Sequence, residues 1–226
     1  MSALAQTAQE YADRYLAAFE ADALTQGAFH TERDGRQLAC ALGVIGAAVD
    51  SARDCPAQIM PRWLAQMVPA FFDRQNAADA FAWGKDFTAA LARIDGKVPF
   101  SVIHDWHANT VCPLGIDAAE KRGRDATPHI ALRALHLRAL AGEKISADEW
   151  RPVLKNAYAD ADAYASADAS ADAYVYASAS AYAYADAYVY ASASADASAD
   201  AYAYADAWKR LADGMTAALN RVEVSA

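Results

Sequence analysis

The amino-acid sequence predicts an α+β chain with three parts. An irregular α-helical domain occupies residues 1–155, and a C-terminal amphipathic capping helix occupies 208–226. Between them, residues 156–207 form a thin Ala-cored β-solenoid of about four fourteen-residue coils. Three observations carry this reading. Apolar residues recur at helical spacing before residue 155 and again after 207. Residues 157–207 alternate Ala or Val with Tyr, Asp or Ser without a break. That alternation also repeats itself at a shift of fourteen.

In the N-terminal part, Tyr11, Tyr15 and Phe19 form an i, i+4, i+8 stripe that Leu4 and Ala8 extend backwards. Leu38, Leu42, Ile45 and Val49 follow the same spacing between Gly35 and Asp50, which predicts a helix with Cys40 on its apolar face. Pro56, Pro61 and Pro69 cut the apolar run around Trp63, Leu64, Met67, Phe71 and Phe72 into short pieces. Asn76 is the expected N-cap of a helix carrying Phe87, Leu91 and Ile94 and ending near Gly96. Thr127 and Pro128 read as N-cap and first helical residue of a helix that stops at Gly142. Ser146 and Glu149 have the form of a capping box, and Pro152 predicts that the helix after them is short or kinked. Short connections between such helices make an irregular bundle with its own core.

Two groups of residues bear on chemistry. Residues 102–112 read VIHDWHANTVC, and His104, His107 and Cys112 are zinc-ligand types, with His129 and His136 seven apart on a later helix. Their spacing matches no finger or H-E-x-x-H pattern, so no metal or other cofactor is expected, and the histidines are placed at the edge of a core formed by Ile103, Trp106 and Thr110. A Cys112–His nucleophile pair lacks an oxyanion-hole pattern and is followed by Pro113. Arg122, Arg124, Arg133 and Arg138 concentrate positive charge that suits a solvated helix face or an acidic partner.

Within 157–207 every odd position is Ala except Val175 and Val189. The string ADAYVYASAS at 171–180 recurs at 185–194. Stacked at fourteen, Tyr174, Tyr188 and Tyr202 align in one column and Tyr176, Tyr190 and Tyr204 in another. These six tyrosines are the expected interaction surface, because Tyr gives large amphipathic contact area at low entropic cost. In strands, period two places Ala and Val inside and Tyr, Asp and Ser outside. The competing arrangement is all-α, with the repeat as a long helix or helical hairpin, since Ala is the best helix former and fourteen is two heptads. After the repeat, Trp208, Leu211, Met215, Ala218, Leu219 and Val222 mark the amphipathic helix that would cover the last coil.

The chain carries a net charge of -9 over 226 residues. The repeat holds eight Asp and no Lys or Arg, so its own charge is -8. Such a balance argues against nucleic acid and anionic membranes. No secretory signal or membrane-length apolar run is visible, and three cysteines at unrelated spacings imply no disulfide framework, so a cytoplasmic protein is expected. The tract, entered through WRPVLKNAYADADAY and left through AYADAWKRLADGM, resembles the Ala-rich tracts of uncharacterised phage and bacterial proteins, some grouped loosely as putative immunity proteins. The resemblance implies a phage- or immunity-related interaction role and carries over no functional residue. The expected function is therefore a non-enzymatic structural or protein-interaction protein acting through a protein partner or self-association. A zinc-binding or enzymatic helical domain centred on His104, His107 and Cys112 is the alternative.

Overall fold

The computed structural model describes residues 3–121, 123–162 and 200–224, which divide into two compact units, 1–99 with 219–226 and 100–218. In the first unit, α1 (Ala8–Glu20) opens at Thr7, whose hydroxyl accepts from Glu10 N–H, and buries Ala8, Tyr11 and Tyr15 as their spacing predicts. The Tyr11 hydroxyl donates to Ala41 O (2.9 Å), which leaves the ring buried with its polar end satisfied.

The predicted helix over 38–49 is a correction. Residues His30–Arg33 and Arg36–Ala39 form an antiparallel hairpin, β1 and β2, followed by a 3-10 turn at Gly43–Ile45. The two-residue turn Asp34-Gly35 has both φ angles positive (54° and 74°), the conformation that matches the strands' right-handed twist. Leu38, Leu42, Ile45 and Val49 are buried nonetheless, so their spacing records burial without recording a helix. Cys40 lies in the connection between β2 and the 3-10 turn, with its thiol accepting from Gly43 N–H.

Pro69 does not cut the following helix. The α2 helix (Arg62–Asp73) starts directly after Pro61 and runs through Pro69, burying Leu64, Met67, Val68, Phe71 and Phe72. One missing backbone bond is outweighed by that continuous apolar face. Asn76 caps α3 (Ala77–Arg93) by accepting from Asp79 N–H (3.0 Å), and Gly96 closes it at φ 67° with its N–H on Leu91 O. Trp83 stacks on Phe87 at 4.7 Å and meets Phe71 edge-on at 5.8 Å, which joins α2 to α3.

The second unit contains α4 (Ser101–Trp106), a π turn (His107–Val111), α5 (Cys112–Lys121), α6 (Thr127–Leu140), α7 (Ala147–Asp162) and most of α8 (Asp200–Asn220). Thr127 is the first residue of α6 rather than its cap, and the Asp125 carboxylate accepts from its N–H (2.9 Å). The capping box holds at α7, with Glu149 N–H donating to Ser146 Oγ (3.3 Å). Pro152 lies early in α7, where one lost bond does not stop the helix.

The β-solenoid is overturned wherever the repeat is described. Residues 157–162 continue α7, and residues 200–207 form the first part of α8; the one sheet among the described residues is the β1–β2 hairpin. Helix α8 therefore begins within the repeat instead of capping a coil at 208. The physical reason is that α7 is already nucleated, so each added Ala-x residue gains a backbone bond without a new nucleation cost. A strand built of Ala buries too little area on its inner face to compete. Val175, Val189, Tyr174, Tyr176, Tyr188 and Tyr190 lie outside the described residues. Tyr202 and Tyr204 are on the α8 backbone.

Helices α1 and α3 approach closely enough to require Gly84. A Cβ there would lie 2.1 Å from Tyr15 Oη and 2.3 Å from its ring carbon Cζ. Gly84→Ala should lower the stability of the folded chain by about 1–3 kcal/mol, the usual cost of overpacking. Urea denaturation reads this as a lower midpoint, and an unchanged midpoint would mean that α1 and α3 separate without cost.

Candidate functional site

The helix from Ser101 to Lys121 contains the feature that builds the site. At the π turn, Cys112 N–H donates to His107 O, five residues back. Continuing that pattern would bring residue 113 to Ala108 O, but Pro113 has no N–H. Arg133 of α6 fills the gap, its Nε donating to Ala108 O (2.8 Å). Deeper in the same unit, Trp106 Nε1 donates to Leu211 O of α8 (2.8 Å), and Gly214 of α8 lies against Thr110 of the π turn.

This register turns His107 inward. His107 is a second correction, since it lies within the unit rather than at its edge, whereas His104 is half-buried as an edge position would be. His107 and His136 are 3% and 7% exposed, and their rings stack at 4.4 Å with 11° between planes. His104, half-buried, brings Nδ1 to 3.0 Å from His136 Nδ1. Trp150 of α7 covers the group, stacked over His104 at 5.8 Å and edge-on to His136 at 4.9 Å. His129 is buried against Gly115 of α5.

Only one of the two imidazoles can donate across the 3.0 Å contact. His136 Nε2 is buried with no hydrogen-bond partner among the described residues. A bare lone pair there costs less than an unsatisfied N–H. This assigns the His136 proton to Nδ1, donating to His104 Nδ1, and the His104 proton to Nε2. Burial pushes all three imidazoles toward their neutral forms: His104 is lowered, His107 is lowered to about 3, and His136 is lowered furthest, with the neighbouring histidines adding to the effect in the last two.

The zinc candidates meet only in part. His104 and His107 both adjoin His136, but among the described residues no group of three or more His, Cys, Asp and Glu is placed to hold a metal ion. Cys112 is buried and its thiol is pushed up to about 12, mainly by desolvation, the opposite of what a nucleophile needs. Arg133 and Arg138 are engaged within the unit, Arg138 with Glu143 and Glu149. Sequence reasoning missed the role of Trp150, which showed only as an apolar residue after a capping box. The available signal was the density of His between 104 and 136, together with Pro113 placed so as to break a helical ladder.

No helix among the described residues is long and apolar enough to cross a membrane. No protein-family model, curated protein or solved structure matches the chain.

Arg133→Met should cost about 1–3 kcal/mol by leaving Ala108 O unsatisfied. In a Pro113→Ala background, whose new N–H can serve that carbonyl, the same change should cost less by about 0.5–1 kcal/mol or more. Thermal melts of the four proteins provide the cycle, and strictly additive losses would separate Arg133 from the π turn.

Proposed function

We propose that the chain is a non-enzymatic protein-interaction protein in which the second unit holds the acidic Tyr/Asp/Ser segment at both ends and offers it to a protein partner. One observation carries the reading: the described ends of the segment continue two helices rooted in the same unit. Trp150 roots α7 on the histidine stack, and Trp208, 1% exposed, roots α8. The segment brings ten tyrosines and a charge of -8, which favours a partner with a basic surface and disfavours nucleic acid. Its resemblance to the tracts of phage and bacterial proteins agrees with such a role. Three unpaired cysteines suit a reducing, cytoplasmic setting. Cys112 is held as the protonated thiol and burial weakens His107 as a base, which weighs against an enzymatic reading centred on them.

The test is tyrosine photo-cross-linking of the full chain in a bacterial lysate. A parallel protein would carry Ser at Tyr174, Tyr176, Tyr188, Tyr190, Tyr202 and Tyr204. Discrete adducts should form with the natural chain and drop several-fold in the variant. Equal adducts from both proteins would overturn the assignment of this surface.

A further inference from the structure

We propose that the His104–His107–His136 stack is an acid-sensitive latch that holds α7 down at neutral pH and releases it when the pH falls. The inference does not depend on what the segment beyond α7 binds. It rests on the packing: Trp150 fastens α7 to rings that must stay uncharged to remain stacked at 4.4 Å and joined at 3.0 Å.

The entry point for a proton is His104, the one member of the stack that is half-buried rather than buried. Protonated His104 carries N–H on both ring nitrogens and can no longer accept from His136 Nδ1. His136 must then move its proton to Nε2, a buried position without a partner among the described residues, or the two rings must part. A second proton on His136 or His107 would place like charges in contact within a dry site. Either route favours the state in which Trp150 has left and water reaches the rings.

The ionisable groups on the elements around the stack make the following contacts. On α4, Asp105 accepts from Asn109 Nδ2 (3.0 Å). On α6, Arg133 serves Ala108 O, Arg138 pairs with Glu143 and with Glu149 of α7, and His129 packs on Gly115. On α7, Asp148 pairs with Arg151, and Lys155 is exposed. On α8, Lys209 pairs with Asp213, and Arg210 lies 4.0 Å from Asp117. Burial and the histidines' own charges govern their protonation, and all of these influences disfavour the charged form.

The sign follows from linkage. A histidine released to water titrates near its ordinary value of about 6.5, whereas the packed rings resist protonation to lower pH. Stability of the packed state is therefore full above about pH 6.5 and falls as the pH drops below it. Each proton taken up on opening raises the open population about tenfold per pH unit, so two protons give about a hundredfold.

Hydrogen exchange of the full chain, corrected for the intrinsic pH dependence of exchange, reads the latch directly. Between pH 7 and pH 5, protection of residues 147–157 should fall by about a hundredfold or more, while α3 keeps its protection. His136→Phe should flatten this slope by at least one proton, and His104→Phe, at the half-buried position, provides the same reading if the first variant does not fold. Unchanged protection of α7 at pH 5, parallel loss in α3, or an undiminished slope in a folded variant would each overturn the latch.

Discussion

Pro113 has no N–H to give to Ala108, and the register of the helix from Ser101 to Lys121 follows from how that deficit is met. The π turn takes up one residue, Arg133 supplies the missing donor, and α6 is thereby pinned to the helix at a point beside the histidines. An α-helical register would rotate every residue after the turn by roughly a hundred degrees relative to those before it. The apolar face that meets α8 and the ring that meets His136 would then no longer belong to one side. Thr110 against Gly214 and Trp106 against Leu211 are further consequences of the same setting.

The two roots of the Ala-x segment differ in chemistry. Trp208 is buried on α8, which also buries Leu211, Ala212 and Met215, and its attachment draws on the hydrophobic effect. Trp150 is half-buried on polar rings, and its contact draws on stacking and on the neutrality of imidazoles. The Trp150 root depends on the charge state of the rings beneath it. The protein thus holds a single segment by two kinds of attachment.

Much of the helical framework was legible in the sequence because caps and glycines act locally. Thr7 was not singled out, but Asn76, Ser146, Glu149, Gly96 and Gly142 mark helix ends through bonds made within a few residues. The 38–49 region misled because four buried residues at helical spacing also fit a hairpin and a 3-10 turn, while Asp34-Gly35 held the better clue. Period two misled more deeply in the repeat. Alternation dictates a two-faced strand only when the inner residues are large enough to reward burial, and Ala is not. The histidine stack was half legible: residue types and sequence clustering were visible, but the tilt that brings Trp150 over His104 and His136 arises from the packing of α6 against α7 and leaves no local trace.

Both roots of the segment lie outside its fourteen-residue units. Inserting or deleting a unit therefore leaves Trp150, the histidines and Trp208 in the same contacts. Even for a tether with no structure of its own, closure grows only with the logarithm of length, about 0.6 kcal/mol per doubling. A gene encoding near-identical repeats lengthens and shortens readily during replication, and here such copy-number drift would change the reach and charge of the displayed segment at little cost to its host unit. The architecture separates a part that evolution can retune quickly from a part that must stay fixed.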